Sequence, residues 1–243
     1  MQDFFQKIEK YHDPATILFR GIELKLLKQK FEKYLNKEKI LDFGCGEGFA
    51  AAALFNHKIS YGLDNYPTAI TIAQNSKIYG KTFLTASSKI PLKTNSIDLV
   101  FVNCVFEHIK EINPALTEIF RITKKQGLLI FTVPSDNFAH YNIFSFLQLK
   151  PIAKLYGWLR NKKYSHHHCY SLKTWSLLLK KYNFKIINHF YYMNRRELEL
   201  WDFFLFIRWP YQNLWKKIIH QKIINAQVTN LQGAAICIVA QKI

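Results

Sequence analysis

Cysteine is scarce in this sequence of 243 residues, and Cys45, Cys104, Cys169 and Cys237 stand far apart with no C-x-x-C pair among them. This spacing argues against a zinc knuckle and against a disulfide framework, since both need cysteines at short, repeated intervals. Four free thiols suit a reducing compartment, so we expect a cytoplasmic protein.

Long apolar runs are also missing. Residues 1–7 carry no basic segment followed by an apolar one, which predicts no secretory signal. The most apolar stretch, 201–209, is interrupted by Asp202 and Arg208. It falls well short of the ~20 apolar residues that a transmembrane helix needs. The expected location is therefore the cytoplasm, either in solution or at the inner face of a membrane.

Acidic residues are few. Asp and Glu number 17 against 34 Lys and Arg, which gives a net charge of +17. Such a charge suits a nucleic acid, an acidic small molecule or an anionic membrane, and it does not choose among them. Hydrophobic residues make up 49% of the chain and charged residues 21%, a globular composition that excludes a disordered tail or a collagen-like repeat.

Short apolar segments alternate with helical periodicity over the first half of the chain. The apolar spacing within 17–35 predicts an amphipathic helix ahead of the first strand. Strands and helices then alternate, as in βαβ units built on a parallel sheet. The predicted strands cover 39–43, 59–63, 82–84, 96–105 and 127–133, and the predicted helices cover 49–55, 66–75 and 114–122.

Two segments interrupt this alternation, residues 136–169 and residues 194–232. The first contains only weak helical signals, and the second contains one predicted long helix. The remaining predicted elements are weak helices at 144–149 and 152–159, a helix over 172–182 capped by Ser171, and strands over 184–192 and 234–240.

The sharpest local signal is a glycine loop, LDFGCGEG, at residues 41–48. A strand runs directly into three glycines at alternate positions, which permits a tight turn and lets a ligand approach the main chain closely. Asp64 ends the next strand, 18 residues after Gly46, where a carboxylate can accept both hydroxyls of a ribose. The combination predicts a nucleoside-binding site at the carboxyl edge of the sheet.

The loop departs from the dinucleotide pattern G-x-G-x-x-G. Gly48 comes one residue early for the third glycine, and Phe49 takes the expected place. Asp42 stands just before the turn, where its charge would repel a pyrophosphate and hold a cationic ligand. These departures favour a cationic ligand over a dinucleotide.

Five pieces in order resemble the class I S-adenosylmethionine-dependent methyltransferases. The resemblance spans roughly residues 38–135, and a looser similarity to the family's later "YSxxxLxxLLxxxGF" segment covers 168–184. The five pieces are motif I at 41–48, the end of the second strand at 62–64, the approach to the fourth strand at 90–100, VFEHI at 105–109, and EIFRITKKQG at 118–127.

The resemblance implies an α/β fold with a three-layer αβα Rossmann-like architecture. Its seven-stranded sheet would be mostly parallel, with an antiparallel last strand and two helical insertions. One domain would cover residues 1–243. Its expected parts are an N-terminal helical segment at 1–37, a cofactor-binding core at 38–135, and insertions at 136–170 and 194–232 that form a lid on the substrate side.

The resemblance also implies where S-adenosylmethionine binds. The glycine loop would cradle its amino-acid part with Asp42 near the amino group, and Asp64 would bind the ribose. The acidic side chain that usually contacts adenine in this family is missing here. Adenine recognition would therefore rest on backbone groups and on Ser87 or Ser88. In the first helix Tyr11, Phe19 and Arg20 form either part of a lid or an ordinary packed surface. The candidate cofactor-binding residues are Asp42, Gly44, Cys45, Gly46, Asp64, Asn65, Ser87, Ser88 and Asn103.

Methyl transfer from a sulfonium is an in-line displacement, so the protein mainly aligns the acceptor, and a hydroxyl acceptor gains from a base. His108 is the candidate base, and Glu107 beside it either takes part or pairs within its loop. The segment that contains Glu107 and His108 also resembles the E-x-x-E-H motif of quinone-ring O-methyltransferases, which can bind a divalent cation. Cys104 occupies the first position of that motif, so we expect no metal. The three histidines at 166–168 predict a polar loop at the pocket mouth, with one imidazole facing substrate, rather than a zinc site.

The fold does not specify the acceptor, so the two insertions must indicate it. Both mix aromatic residues with Lys and Arg. That mixture occurs on membrane-binding surfaces, on RNA-binding surfaces and in helical caps that pack on their own aromatics. We expect residues 198–217 to form a helix-rich surface that meets an anionic bilayer, with Leu198, Trp201, Leu205 and Trp209 on one face.

Two hypotheses about function remain. The first is an S-adenosylmethionine-dependent methyltransferase that acts on a small-molecule acceptor, either hydrophobic or lipid-linked. The second is a non-catalytic methyltransferase-fold module that binds a membrane or a partner, and an RNA methyltransferase is a further alternative. We expect no nucleic-acid partner, and the sequence leaves the acceptor atom and the oligomeric state open.

Overall fold

The computed structural model describes residues 1–206, 213–229 and 233–243, and its centre is a seven-stranded sheet. The strands are β1 Ile40–Phe43, β2 Ile59–Asp64, β3 Tyr79–Leu84, β4 Ile97–Asn103, β5 Thr123–Pro134, β6 Phe184–Tyr192 and β7 Ala235–Lys242. Across the sheet they lie in the order β3-β2-β1-β4-β5-β7-β6.

The order of the strands reverses at β1. This strand pairs in parallel with β2 on one side and with β4 on the other, so the chain winds outward from it in both directions. In open α/β sheets, ligands bind in the crevice outside the carboxyl ends of the strands at such a reversal. β7 runs antiparallel to both β5 and β6. The predicted sheet, mostly parallel with an antiparallel last strand, is confirmed.

Helices cover both faces of the sheet. In the first half of the chain they are α1 Gln2–Ile8, α2 Pro14–Leu35, α3 Phe49–Leu54, α4 Pro67–Asn75 and α5 Ile112–Ile122. In the second half they are α6 Ile143–Phe146, α7 Lys150–Lys163, α8 Leu172–Lys181, α9 Arg195–Phe206 and α10 Asn213–Asn225. Single 3₁₀ turns occur at Glu9–Tyr11 and Phe106–His108.

Two hydrophobic cores lie on opposite faces of the sheet. One packs the sheet against α2, α3, α9 and α10, and the other packs it against α5 and α8. The pleat of β5 feeds both cores, since Ile130 faces the first while Leu129 and Phe131 face the second. This arrangement confirms the three-layer αβα architecture.

The long helix α2 packs on the face of the sheet that carries the first hydrophobic core. It begins where the Asp13 side chain accepts a hydrogen bond from the Thr16 amide at 2.8 Å, and Pro14 occupies its first position. Its neighbours are α3, α9 and α10, so most of its sides are covered and even Glu23 is fully buried. The predicted amphipathic helix is therefore present, and it is a central layer rather than a surface helix.

The prediction of one long helix within 194–232 is wrong, because the described residues there form two helices, α9 and α10. The sequence itself contains the reason, since Pro210 cannot sit inside a continuous helix. The weak signals at 144–149 and 152–159 correspond to α6 and α7. α1 lies within the N-terminal helical segment expected at 1–37, although no separate helix was predicted there.

Residues 198–217 were expected to offer a bilayer one apolar helix face, and the part of that face with Leu198 and Trp201 is buried instead. Leu198 is fully buried and Trp201 is 8% exposed, because α9 packs this face against α2 and the core. Trp215 is half-buried and meets an aromatic ring of α9 edge-on at 5.4 Å between centroids. Trp209 lies outside the described residues. Within the described ranges, every helix is too short or too polar to cross a bilayer.

Candidate functional site

The glycine loop between β1 and α3 turns through three residues with positive φ, at 75° for Gly44, 52° for Gly46 and 84° for Gly48. A Cβ on Gly44 would lie 2.4 Å from a methyl carbon of Val105, so only glycine fits there. A Cβ on Gly46 would meet nothing within 4 Å. The backbone at Gly46 therefore faces open space, as a loop that cradles a ligand must.

Hydrogen bonds attach the loop to the end of β2. The amides of Gly44 and Cys45 donate to the Leu63 carbonyl at 2.7 and 2.9 Å. The Asp64 carboxylate accepts from the Gly46 amide at 2.8 Å and from the Tyr66 amide at 3.0 Å. Asp64 is thus held at the mouth of the loop, as the sequence predicts.

Asp42 is a buried carboxyl beneath the loop, 2% exposed. Burial raises its pKa to about 7, although the hydrogen bond that the Tyr79 hydroxyl donates at 2.7 Å acts in the opposite direction. Within the described part of the chain this carboxyl has no cationic hydrogen-bond partner, and a ligand that brings a positive charge would favour its ionised form. Tyr79 was not predicted, because only the pairing of β2 with β3 brings it beneath the loop.

A cavity of about 200 Å³ opens at this loop, and we call it the loop cavity. Asp42 and Arg20 both line it, so a carboxyl and a guanidinium face the same space. Its full lining is Tyr11, Arg20, Asp42, Gly44, Cys45, Gly46, Glu47, Phe49, Ala50 and Asn103.

Arg20 projects from α2 and is held by a buried network. Its Nη1 donates to Glu23 at 2.8 Å and to the Asn103 side-chain oxygen at 3.3 Å. Glu23 also accepts from the Tyr192 hydroxyl and, at 3.2 Å, from the Cys104 thiol. Burial would raise the pKa of Glu23, but Arg20 and the hydroxyl together lower it, so Glu23 stays ionised and anchors the guanidinium.

A second cavity, of about 660 Å³, lies outside the carboxyl ends of β1, β2 and β4, and we call it the outer cavity. It brings together six predicted residues, namely Gly44, Asp64, Asn65, Ser87, Asn103 and His108. Ser88 is exposed and stands outside this lining, so the structure does not bring it to the predicted group. Tyr164 and Ser165, which follow α7, also line this cavity.

A third cavity, of about 150 Å³, lies beside the outer cavity, and we call it the inner cavity. It shares Arg20, Cys104, His108 and Tyr164 with the outer cavity, so the two are adjacent. Its other walls are mostly aromatic or apolar. The further lining residues are Thr16, Phe19, Glu107, Pro134, Phe138, His166 and Trp201.

His108 stands at the junction of the outer and inner cavities. Its Nδ1 lies 2.9 Å from the Tyr164 carbonyl oxygen, which can only accept, so Nδ1 carries the proton and Nε2 keeps its lone pair. Burial lowers the pKa of His108 below its ordinary value, although the carbonyl partner opposes the shift. The imidazole is therefore neutral at neutral pH, which is the state that a general base needs.

Glu107 lies behind His108 and is 1% exposed. Its Oε1 is 3.9 Å from Nε2 of His108, and its Oε2 has no hydrogen-bond partner among the described residues. Burial raises the pKa of Glu107 to about 8. A protonated carboxyl beside the imidazole lines the inner cavity without adding a negative charge to it.

The three consecutive histidines point to different places. His166 lines the inner cavity, and burial lowers its pKa to about 3. His167 is exposed, and His168 is buried, within 2.7 Å of the Ile109 carbonyl. One imidazole thus faces the pocket, as expected. Ligand atoms of Glu107, His108 and His166 lie within 4.8 Å of one another, close enough to hold a metal ion.

Comparison with known families matches the model described as "Methyltransferase domain" to residues 41–131. A malonyl-[acyl-carrier protein] O-methyltransferase of Methylovorus sp. (strain MP688) is 29% identical over 53% of this chain and 47% of that protein. The malonyl-[acyl-carrier protein] O-methyltransferase 2 of Coxiella burnetii (strain RSA 493) is 29% identical over 55% of each. The chain spans about half the length of these curated relatives.

Solved structures resemble most or all of the chain in fold. A possible histamine N-methyltransferase of Thermotoga maritima superposes with a TM-score of 0.63 at 18% identity, covering 100% of this chain and 99% of that one. The geranyl diphosphate C-methyltransferase of Streptomyces coelicolor A3(2), solved with Mg²⁺, geranyl diphosphate and S-adenosyl-L-homocysteine, gives a TM-score of 0.55 at 11% identity, covering 89% and 77%. At these identities the likeness is one of fold.

Proposed function

We propose that the protein transfers a methyl group from S-adenosylmethionine to a small hydrophobic or lipid-linked acceptor, and the match of residues 41–131 to the methyltransferase domain family supports this proposal. One observation carries the proposal. The outer cavity, which the nucleoside half of the cofactor would fill, adjoins an aromatic inner cavity at His108, Arg20 and Cys104. The methyl donor and the acceptor could meet at this junction in the geometry that an in-line displacement requires.

The loop cavity fits the amino-acid end of the cofactor. That end carries an ammonium and a carboxylate, and the cavity offers Asp42 for the first and Arg20 for the second. Open space above Gly46 leaves room for the chain that joins this end to the sulfonium. Both charged side chains are already held in place, by Tyr79 and by Glu23, so little ordering is needed on binding.

The outer cavity fits the nucleoside. Asp64 already accepts two backbone amides, and its carboxylate oxygens retain lone pairs for the two ribose hydroxyls. Asn65, Ser87 and Thr85 line the wall beyond, where the adenine would lie. Cys45 contributes its backbone, since its side chain is buried beneath the loop.

The chemistry asks little of the protein, because S-adenosylmethionine supplies a methyl group already activated on a sulfonium. We assign His108 the role of base. Its Nε2 lone pair would accept the proton that a hydroxyl acceptor loses as the acceptor oxygen bonds to the methyl carbon, while the carbon–sulfur bond breaks and the thioether S-adenosylhomocysteine leaves. Burial keeps the imidazole neutral, and the Tyr164 carbonyl fixes its orientation through Nδ1. Glu107 would act by supporting His108 rather than by meeting the acceptor.

The two insertions would provide the acceptor side. Phe138 and His166 of the first insertion and Trp201 of the second line the inner cavity together with Phe19 of α2. An aromatic wall favours an acceptor with an apolar portion. The names of the curated relatives denote O-methylation of malonyl-[acyl-carrier protein], which gives loose support for an acceptor tethered to a larger carrier.

A non-catalytic module that merely keeps the fold is the second candidate, and RNA methylation is the third. The net positive charge suits both of these candidates. The intact glycine loop, Asp42 and Asp64 instead favour an enzyme, because they form the site proposed for the methyl donor. Untargeted mass spectrometry of a knockout against its parent would identify the acceptor. Purified protein with labelled S-adenosylmethionine should then transfer label to a lipid or small-molecule fraction of the knockout extract. Transfer to the RNA fraction alone, or cofactor binding without any turnover, would contradict the proposal.

A further inference from the structure

Helix α7, Lys150–Lys163, buries two small residues and one arginine, and it exposes most of its apolar residues together with its lysines. Its buried face consists of Ala153, Gly157 and Arg160. A Cβ on Gly157 would lie 2.0 Å from the Ala139 carbonyl oxygen, so the helix backbone approaches the preceding segment as closely as glycine allows. A surface helix ordinarily has the reverse arrangement.

Arg160 fixes this orientation. Its guanidinium bonds to the carboxylate of Asp202 at 3.0 Å, to the Tyr141 carbonyl at 3.0 Å and to the Phe138 carbonyl. Arg160 is 3% exposed and Asp202 is fully buried, so turning the helix would leave two buried charges without partners. The Tyr156 hydroxyl also donates to Asp202, at 2.7 Å. The apolar face of α7 is therefore held towards solvent.

The outward face is continuous with the exposed residues of α6 and the turn that follows it. Ile152, Leu155 and Leu159 recur at three- and four-residue spacing, so they share one face of the helix. We call the set the α6–α7 patch. It comprises Phe146, Leu147, Leu149, Ile152, Leu155, Trp158 and Leu159, each between 42% and 66% exposed.

Cations surround the patch and acids are missing from it. Residues 137–196 contain no Asp or Glu. Exposed lysines flank the apolar face, and the Lys162 ammonium lies 5.3 Å from the centre of the Trp158 ring. The flanking lysines are Lys150, Lys154, Lys162 and Lys163.

We propose that the α6–α7 patch docks on the surface of an anionic lipid bilayer. Aliphatic side chains would enter the boundary between headgroups and acyl chains while the lysines meet lipid phosphates, as amphipathic interfacial helices do. The positive charge of the flanking lysines favours an anionic lipid surface over a second copy of the chain. A two-fold contact through this patch would place the same lysines near one another, where they would repel. Unpaired RNA bases would instead need stacking aromatic rings, and Leu and Ile dominate the patch.

The patch is linked to the proposed active site. Lys163 ends α7, and the next residues, Tyr164 and Ser165, line the outer cavity. Docking would hold this wall near the lipid surface. This part of the inference rests on the proposed function, since it implies an amphiphilic acceptor whose head enters the cavity from the bilayer.

Vesicle flotation tests the docking itself. The full chain should float with vesicles of phosphatidylcholine and phosphatidylglycerol at low salt, and should remain in solution with phosphatidylcholine alone. The double variant Leu155→Ser/Trp158→Ser should lower the vesicle affinity at least about tenfold, because two partly inserted side chains are lost. The variant Lys154→Gln/Lys162→Gln should lower it by a similar factor and weaken the salt dependence.

A matched control keeps the test specific. Leu177 and Ile224 are also exposed apolar residues but lie on other helices, so Leu177→Ser/Ile224→Ser should float like the unaltered chain. Equal flotation of the control and the patch variant, or recovery in solution with both vesicle types, would overturn the proposal. So would a dimer that the patch variant dissociates without any vesicle binding. Calorimetric cofactor binding, measured without lipid, reports separately on the proposed function.

Discussion

The buried carboxyl of Asp42 makes cofactor binding depend on pH. Its pKa is raised to about 7, so below pH 7 it is mostly protonated and neutral. A cationic ammonium favours the ionised form, so affinity for S-adenosylmethionine should rise with pH up to about 7 and level off above it, by at most about tenfold per pH unit. Calorimetric titrations between pH 5.5 and 8 measure this slope.

The matched variants for this prediction are Asp42→Asn and Asp3→Asn. The first should bind weakly at every pH, without the rise. The second removes an exposed carboxylate paired with Lys7 on α1, so its pH profile should follow the unaltered chain. A flat profile in the unaltered chain would mean that Asp42 does not meet the ammonium.

His108→Asn tests the assignment of the base. Turnover on a hydroxyl acceptor should fall about 10²- to 10⁴-fold, and cofactor affinity should stay within about twofold, because the side chain meets only the acceptor. In the unaltered chain the rate should fall as pH drops, with its midpoint below the ordinary pKa of ~6.5, since burial lowers the pKa of His108. His167→Asn, at an exposed neighbouring imidazole, should leave turnover unchanged.

A metal ion is the competing role for the same side chains. If Glu107, His108 and His166 held a divalent ion, dialysis against a chelator would abolish turnover and added Zn²⁺ would restore it. His166→Asn would then cost as much as His108→Asn. We expect turnover to survive the dialysis, in agreement with the cysteine that replaces the first carboxylate of the E-x-x-E-H run.

Residue by residue, local sequence predicted the loop and its acid well. Asp42, Gly44 and Asp64 belong to short motifs whose geometry is set by neighbouring backbone. The network behind Arg20 was beyond such reasoning, because Tyr192 donates to Glu23 across 169 residues of sequence. Such pairs become visible only when the sheet order is known.

Among the elements, the glycine loop permits a sharp comparison of two substitutions. Gly44→Ala adds a clash with Val105 to the positive-φ strain, so it should lower the free energy of unfolding by about 2–4 kcal/mol. Gly46→Ala adds strain alone and should lower it by about 1–2 kcal/mol. Its methyl group enters the ligand space, so cofactor affinity should fall even where the protein stays folded. Urea unfolding with calorimetry separates the two effects, and equal losses of stability would contradict the expected clash.

The sequence predicted the presence of the helices better than it predicted which face of each helix is buried. It contains only a weak helical signal for α7 and an apolar helical face for α9, and it assigned the membrane surface to the second. The buried pair of Arg160 with Asp202 holds the apolar face of α7 outward. The face of α9 that carries Trp201 packs inward on α2. Which face of a helix meets solvent depends on partners distant in sequence.

For the whole molecule, the sheet order follows from the family resemblance, and the acceptor side does not. Residues 38–135 belong to the part with shared motifs, whereas the inner cavity takes Phe138, His166 and Trp201 from the insertions. The match to the curated relatives covers only about half of each relative's length. The acceptor must therefore be found by experiment on the intact chain.

Calorimetric titration with S-adenosylhomocysteine and with NAD tests the central claim, that the crevice holds the methyl donor. The unaltered chain should bind S-adenosylhomocysteine and not NAD. Asp64→Ala should weaken that binding about ten- to a hundredfold, because charge-assisted hydrogen bonds of ~1.5–3 kcal/mol to the ribose are lost. Tight binding of NAD with no binding of S-adenosylhomocysteine or S-adenosylmethionine would contradict the claim.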